Sequence, residues 1–445
     1  AEATGKSFDT IRQETNGKWE NALSVIDAEG SNDQLSMLYT SLYHTMINPS
    51  VYMDVDGKYR GIDHNIHQAE GFTNYTVFSV WDTYRALHPL FNIIKRDVST
   101  NLVKSMLAHY SQSVHHLLPV WSHMGNENWC MIGYHSVSVL ADAITKGLPI
   151  DKQEAVKAMV SSSNVPYYDH TDEYKQLGYV PFDQSPTSAS ITLENAYEDW
   201  TVYHTALLLG DKQIADTYKK RALYYRNVFK PGLGFACPRY KDGSWKEEID
   251  LLSTHGQGFI EGNAWNYSFY VPQAPSDLIR LIGGNRTYVH GNEPSHHIPY
   301  LYSWTTEPWK TQYWIREIMN RMYRNNIDGL CGNDDCGQMS AWYIFSAMGF
   351  YPVCPGTDQY VIGAPYLPYM QVSLENGKTF TVRADKVSDK NRYIKSVTLN
   401  GQPYKKAYIT HQDIMNGGEL VFQMTSSPNK RRQFTAEEKP YSLVE

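Results

Sequence analysis

Hydrophobic residues recur at helical spacing over most of the chain. Ser31 and Gln34 have the spacing of a capping box, and leucines and tyrosines then return every three or four positions on one face. Similar periods predict twelve helices, near residues 7–27, 32–47, 75–94, 99–118, 135–146, 151–163, 192–209, 212–228, 264–282, 294–304, 308–325 and 337–348. With no strand runs between them, these segments exclude a doubly wound sheet and favour a mainly α architecture. Twelve helices suggest six hairpins closed into an (α/α)6 toroid, which we assign to residues 1–360.

The hydrophobic period changes from helical to alternating after about residue 360. Phe380, Val382 and Ala384 alternate with polar residues, which is typical of a strand with one buried face. Asn376-Gly377 and Asn400-Gly401 have the sequence of type I′ hairpin turns. Residues 361–445 are therefore predicted to form a small antiparallel β unit packed on the helical domain.

Composition narrows the class of protein further. Apolar residues make up 42% and charged residues 20%, so the chain has the profile of a folded protein. The net charge of −7 argues against a nucleic-acid partner, and no apolar run approaches the roughly 18 residues that a membrane span needs. The five scattered cysteines form neither a disulfide framework nor a paired metal knuckle. The 34 Tyr and 11 Trp offer flat apolar faces that suit both core packing and sugar rings.

Common catalytic and nucleotide-binding signatures are absent. Gly377-Lys378-Thr379 lacks the preceding Walker glycine, because Val372 stands in its place, and there is no GxSxG or HExxH motif. The chemistry that remains is that of carboxylates in polar loops.

Glu261 is the first carboxylate of interest. It lies in the run FIEGNAWNY between Phe259 and Trp265, and an apolar wall would raise its pKa as a general acid requires. Alternatively, Glu261 is a helix-start carboxylate that caps Asn263 and its neighbours.

Two further loops carry oxygen ligands. Asn292 and Glu293, in HGNEPSHH, are hard oxygen donors of the kind that calcium takes, although such a loop more often caps a helix. Asp334 and Asp335, in LCGNDDCGQMSAWY, repel each other and need neutralisation. A calcium ligand, a general base and a helix N-terminal charge pair are all compatible with this second loop.

A fourth candidate begins a predicted helix. In FSVWDTYRALHPLF, Asp82 could accept two sugar hydroxyls while Trp81 stacks on the ring. Alternatively, Asp82 and Arg85 form an ordinary ion pair three residues apart on the helix.

Together these segments resemble one family, the calcium-dependent exo-α-mannosidases of glycoside hydrolase family 92. The resemblance runs from about Trp19 to Gly363 and is carried by GFTNYTVFSVWDTYRALHPLF, NENWCMIGYHSVSVLADA, ITLENAYEDW, EGNAWNYSFYVP, HGNEPSHHIPYLY and NDDCGQMSAWYIFSAMGFYPVCPG. Long runs of unusual residues in the same order are far more specific than any short motif.

The resemblance implies a fold, a reaction and a role for each candidate residue. It implies an (α/α)6 toroid followed by β structure, and inverting hydrolysis of terminal α-linked mannose with Ca²⁺ bound to the mannose hydroxyls at carbons two and three. In these terms the general acid is Glu261 and the general base is Asp335 with Asp334 beside it. The calcium environment includes Asn292 and Glu293, and the substrate-binding residues are Trp81, Asp82, Arg85, Glu127 and His296.

Two departures from the family pattern affect the expected partners. Family members usually begin with a β-sandwich domain that closes one side of the pocket, so the resemblance implies such a domain beyond these residues. Between Gly284 and His290 the family usually has several dozen more residues, part of which shapes the leaving-group subsite. The family resemblance also implies a secreted, periplasmic or cell-surface location and a mannose-containing glycan as substrate.

Two other functions compete with this one. A non-enzymatic calcium-dependent sugar-binding protein would keep the pocket without the complete catalytic set, and the presence of Glu261, Asp334 and Asp335 together argues against it. Another (α/α)6 glycoside hydrolase would not require the Asn292-Glu293 calcium loop.

Overall fold

Helices are the main regular structure before residue 350. A computed structural model describes residues 3–283 and 290–444. The described α-helices are α1 Phe8–Leu23, α2 Asn32–Thr45, α3 Val80–Thr83, α4 Leu87–Ile94, α5 Arg96–Gln112, α6 Ser136–Thr145, α7 Lys152–Ser162, α8 Thr171–Leu177, α9 Ser188–Leu209, α10 Lys212–Arg221, α11 Ala264–Tyr267, α12 Pro275–Ile282, α13 Trp309–Met322, α14 Gln338–Met348 and α15 His411–Met415. Short 3₁₀ helices span Tyr224–Val228, Glu293–Ser295 and Ile298–Trp304.

Several helix predictions are confirmed, and others are corrected. The capping box of Ser31 and Gln34 is present at the start of α2. The single helix predicted over residues 75–94 is wrong, because the chain breaks between α3 and α4. There the Gln338 side-chain oxygen accepts hydrogen bonds from the Ala86 and Leu87 backbone N–H groups. This long-range partner satisfies backbone donors that would otherwise need helical acceptors.

The described strands are mostly in the last third of the chain. They are β1 Ile26–Glu29, β2 Ser50–Val51, β3 Lys58–Arg60, β4 Ile66–Gln68, β5 Tyr75–Thr76, β6 Ser122–His123, β7 Asn126–Glu127, β8 Phe350–Tyr351, β9 Gln359–Ile362, β10 Tyr369–Ser373, β11 Thr379–Asp385, β12 Tyr393–Leu399, β13 Gln402–Tyr404, β14 Tyr408–Thr410 and β15 Gly418–Thr425. The expectation of no strands between the helices is therefore wrong. The pairs β2–β5, β3–β4 and β6–β7 form short ribbons that are too brief to give an alternating pattern.

The main sheet has six strands in the order β1-β10-β11-β15-β12-β13. A hairpin turn is present at both predicted places, one joining β10 to β11 and the other joining β12 to β13. The first is not a type I′ turn, because Gly377 has a positive φ but Asn376 does not. Asn400 and Gly401 have φ values of 51° and 77°, as a type I′ turn requires. The sheet is antiparallel-rich but not wholly antiparallel, because β15 returns between β11 and β12 and pairs with β11 in parallel.

The sheet and the helices share one hydrophobic core. Strand β1, from the start of the chain, pairs with β10. Buried Arg316 of α13 donates to the carbonyl oxygens of Pro365 (3.1 Å) and Ser388 (3.2 Å). The division of the chain at residue 360 stays a prediction, but the sheet includes residues from both sides of it.

Two exclusions drawn from the sequence agree with the structure. All five cysteines are free thiols, as their scattered positions indicate. Among the described residues, no helix combines the length and the apolar character needed to cross a bilayer.

Candidate active site

Three carboxylates from distant parts of the chain meet at one point. Asp82 comes from α3, Glu293 from the 3₁₀ turn after Asn292, and Asp335 from the loop before α14. One oxygen of each lies within 4.8 Å of the others. Asp82 and Glu293 are buried and Asp335 is half-buried. We call these three residues the carboxylate cluster.

Local backbone features hold the carboxylate cluster in place. Ser79, at the start of α3, donates its hydroxyl to the Asp82 carboxylate. Asp335 and Cys336 have left-handed φ values of 48° and 55°. Consecutive non-glycine residues in this region are strained, and such strain is common where a side chain must be aimed at a functional site.

Burial and mutual repulsion favour the protonated forms of the cluster. The pKa of Asp82 is raised from 3.8 to about 8, first by burial and then by the charge of Asp335. Burial, Asp82 and Asp335 raise the pKa of Glu293 well above its ordinary value. The pKa of Asp335 is raised too, by burial and by Asp334. The cluster therefore holds protons unless a cation neutralises it.

The donors of the cluster fit a hard divalent cation. The buried Oε1 atom of Glu293 has no hydrogen-bond partner, which is costly unless another group satisfies it. Among the described residues, only this group brings three acidic, histidine or cysteine ligand atoms so close. Carboxylate oxygens at this spacing match the ligand preference of calcium rather than that of soft metals.

Glu261 lies beside the cluster. Its carbonyl oxygen accepts a 2.5 Å hydrogen bond from the side-chain amide of Asn292, the neighbour of Glu293. The cap of α11 is Asn263, whose side chain accepts from the first-turn N–H groups, so Glu261 is not the cap of this helix. Its backbone φ is 44°, which is unusual outside glycine.

The apolar wall expected around Glu261 is absent, because the Glu261 side chain is exposed. The aromatic rings of the motif pack elsewhere. Trp265 lies edge-on to Phe235 with ring centroids 4.6 Å apart, and buried Phe259 stacks on Tyr267 at 5.9 Å. The Glu261 carboxylate is therefore open to a ligand arriving from solvent.

The adjacent aspartates have different partners. Asp334 Oδ1 accepts hydrogen bonds from the backbone N–H (3.1 Å) and hydroxyl (2.6 Å) of Ser340 in the first turn of α14. This is the helix N-terminal role that the sequence left open, and it leaves Asp335 as the one of the pair that joins the carboxylate cluster.

Trp81 and Arg85 are buried behind Asp82. The indole N–H of Trp81 donates to both Glu194 carboxylate oxygens, at 3.1 and 3.0 Å. The guanidinium of Arg85 lies 4.7 to 5.1 Å from the ring centroids of Trp81, Tyr84 and Tyr270. The described structure has no ion pair between Arg85 and Asp82, so the interpretation of these two residues as a helix-surface pair is not supported.

The remaining two candidates have protein partners of their own. Glu127 accepts hydrogen bonds from the backbone N–H groups of Val120 (3.0 Å) and Trp121 (2.7 Å). Buried His296 donates from Nε2 to the His290 carbonyl oxygen, and its Nδ1 accepts from the Gln338 amide, both at 3.1 Å. A sugar hydroxyl would have to displace one of these partners to bind His296.

A second buried polar network was missed by the sequence reasoning. His135 lies 2.9 Å from Glu194 and 2.7 Å from Glu198. Although burial opposes its charge, Glu198 and Glu194 raise the pKa of His135 to about 9. Glu194 also accepts from Trp81 and from the hydroxyl of Tyr267 (2.9 Å). The sequence contained one signal of this network, namely that Glu194 and Glu198 lie four residues apart on the otherwise apolar α9.

Comparisons with known proteins point to one family. The model of the "Glycosyl hydrolase family 92 catalytic domain" matches residues 1–426. A family GH92 α-mannosidase from Bacteroides thetaiotaomicron superposes with a TM-score of 0.96 at 42% identity, over 99% of this chain and 62% of that one. A family GH92 inverting mannosidase from the same bacterium gives 0.92 at 34% identity, over 99% of this chain and 66% of that one.

One curated relative is also similar. A protein named "Uncharacterized secreted glycosidase", from the fungus Arthroderma benhamiae, is 29% identical over 377 residues, which is 70% of this chain and 48% of that protein. The chain thus spans about half of this relative and about three fifths of the first structural neighbour. With the family match covering nearly its whole length, the chain belongs to glycosyl hydrolase family 92.

Proposed function

We propose that the protein hydrolyses terminal α-linked mannose from glycans by an inverting, calcium-assisted general acid/base mechanism. The carboxylate cluster carries the proposal. Asp82, Glu293 and Asp335 converge beside Glu261, and a buried group of carboxylates with raised pKa values is characteristic of catalytic and metal sites. The name of the inverting mannosidase relative agrees with this reaction.

Each residue has a specific role in the proposed reaction. Glu261, exposed beside the cluster, protonates the departing glycosidic oxygen. Asp335 accepts a proton from the water that attacks the anomeric carbon from the opposite face, which inverts the configuration. Asp334 remains bound to Ser340 and supports the loop that carries Asp335.

Calcium is the proposed cofactor. Glu293 and Asn292 would hold the ion, with Asp82 and Asp335 facing the same space. When bound, the ion supplies positive charge that orients two mannose hydroxyls and favours a flattened sugar ring. Trp81 and Arg85 fix α3, so that Asp82 forms the floor of the mannose pocket.

The finer architecture and the setting are parts of the same proposal. We expect the helices to close as an (α/α)6 toroid with the carboxylate cluster at one end of its axis. Residues 284–289, in the segment expected to be shorter than in the family, lie outside the described residues. The secreted relative favours a secreted, periplasmic or cell-surface location. An N-terminal β-sandwich partner domain remains a prediction.

Release of mannose tests the proposal directly. The chain is expressed together with any flanking residues that its gene encodes. It is incubated with α-1,2-, α-1,3- and α-1,6-mannobiose, and free mannose is measured. We expect release that stops in excess chelator and returns with calcium but not with zinc. Full activity in chelator would refute the role of calcium. Cleavage of α-glucosides but not of α-mannosides would indicate another glycoside hydrolase. Mannose binding without release would identify a sugar-binding protein.

A further inference from the structure

A strained loop beside the active site serves no role in the mechanism above. We call residues 124–131 the Trp129 loop. Within it, Met124, Trp129 and Met131 have left-handed φ values of 49°, 58° and 67°. This conformation costs roughly 1–2 kcal/mol for each large L-residue, and such costs cluster at functional sites.

Glu127 holds this loop in its strained shape. Its buried carboxylate accepts hydrogen bonds from the backbone N–H groups of Val120 (3.0 Å), Trp121 (2.7 Å) and Trp129 (3.3 Å). A carboxylate that bridges both ends of a loop fixes its course. Glu127 therefore acts as a positioning residue, and the group it positions is Trp129.

The Trp129 loop is attached to the segment that leads to Asp82. The Met124 N–H donates to Thr76 Oγ1 at 2.7 Å, and the Phe78 N–H donates to the Ser122 carbonyl oxygen at 3.0 Å. Phe78 lies four residues before Asp82, so the loop and the floor of the mannose pocket share one scaffold. The charges of Glu261 and Asp82 also help to raise the pKa of the Cys130 thiol, after burial, which agrees with this placement.

Trp129 lies in a group of four aromatic rings, two of which are exposed and two half-buried. We call His115, Trp129, Tyr167 and Tyr168 the aromatic rim. The rings of His115 and Tyr168 each lie 5.6 Å from that of Trp129, and His115 Nδ1 is hydrogen-bonded to the Tyr167 hydroxyl at 2.6 Å. Trp129 is 42% exposed and Tyr167 67% exposed. Exposed aromatic side chains that lie together are common at binding surfaces.

A cavity of about 240 Å³ adjoins this rim. Its polar lining includes Ser113, His115 and Asn126, together with Glu127, whose carboxylate already accepts backbone hydrogen bonds. Flat apolar faces combined with hydrogen-bonding side chains match a pyranose ring. The volume accommodates one sugar ring.

We propose that the aromatic rim binds the sugar residue to which the terminal mannose is attached, with Trp129 as its stacking platform. This inference rests on the proposed function, because it assigns the rim to the leaving-group side of Glu261. It makes Trp129 a determinant of glycan preference rather than of bond cleavage.

Two substrates with different leaving groups test the assignment. An α-mannobiose leaves a sugar that reaches the rim, whereas α-mannosyl fluoride leaves only fluoride. Trp129→Ala should lower kcat/KM on the best-cleaved mannobiose by about 10–50-fold, mainly through KM. The loss on α-mannosyl fluoride should be at least about tenfold smaller, and Trp129→Phe should recover most of the disaccharide activity. Equal losses on both substrates would overturn the proposal.

A matched control and a binding assay complete the test. Trp314 is 43% exposed on α13, so Trp314→Ala removes an equally exposed indole. This control should leave kcat/KM unchanged on both substrates. In a Glu261→Gln background, calorimetry with calcium should show that Trp129→Ala weakens mannobiose binding more than mannose binding. Equal weakening, or no mannobiose binding before the substitution, would refute the rim. Failure of the unaltered chain to cleave any α-mannoside would refute the proposed function instead. The binding comparison would still show whether the aromatic rim binds the second sugar.

Discussion

Calcium binding to this protein should release protons and should therefore strengthen steeply with pH. At 4.8 Å, the upper limit on the distances between the ligand oxygens of the carboxylate cluster, two negative charges repel by about 3.5 kcal/mol at an effective dielectric constant of about 20. This corresponds to about 2.5 pKa units. Together with burial, repulsion of this size accounts for a pKa of about 8 at Asp82.

The size of the pH effect follows from that pKa. A group with a raised pKa holds its proton below pH 8, and a cation beside it must displace that proton. About 1% of Asp82 is ionised at pH 6, about 9% at pH 7 and about 91% at pH 9. Calcium affinity should rise about ninefold between pH 6 and 7, about fivefold more by pH 8, and less than twofold thereafter. The raised pKa of Glu293 makes the increase steeper.

Isothermal titration calorimetry at pH 6, 7, 8 and 9 measures this dependence. Paired buffers with different ionisation enthalpies give the number of protons released for each calcium bound. We expect between one and two protons at pH 7 and fewer at pH 9. Asp82→Asn should flatten the profile while lowering affinity, because it removes one titrating group. An affinity that is constant from pH 6 to 9, with no buffer dependence, would refute the electrostatic account of the cluster.

Three substitutions test the other assignments. Glu261→Gln should reduce the rate of mannobiose hydrolysis by about 10²–10⁴-fold but have much less effect on an aryl mannoside with an acidic phenol. Asp335→Asn should reduce the rate on both substrates. The rates of both variants on both substrates therefore distinguish the general acid from the general base. Asp334→Asn should keep activity within about tenfold, because Asp334 is bound to Ser340, and a loss equal to that of Asp335→Asn would contradict this. Glu194→Gln should lower the free energy of unfolding by about 3–5 kcal/mol, seen in urea denaturation, because the buried His135 cation loses a carboxylate.

Local signals in the sequence predicted local structure well. The capping box at Ser31 and the turn at Asn400-Gly401 depend on interactions within a few residues, and both are confirmed. The break between α3 and α4 depends on Gln338, about 250 residues away, and the strands β1 and β10 are even further apart in the sequence. Periodicity contains no information about such partners.

The candidate site residues could be named from the sequence, but their arrangement could not. Motif chemistry and family resemblance both identified Glu293 and Asp335, but only the fold brings them together with Asp82. The exposure of Glu261 was mispredicted, since neighbours in sequence need not be neighbours in packing. His135 was overlooked because a buried, paired histidine cannot be distinguished by sequence from one on an ordinary helix surface.

Proton NMR of the first minutes of hydrolysis tests the central claim most directly. With calcium present, an aryl α-mannoside, whose leaving group has no anomeric carbon, should yield β-mannose first, and the α-anomer should appear only later by mutarotation, because water attacks opposite the departing phenol. With chelator, neither anomer should accumulate. Initial release of α-mannose, or equal rates with and without calcium, would contradict the account of Glu261, Asp335 and the calcium loop.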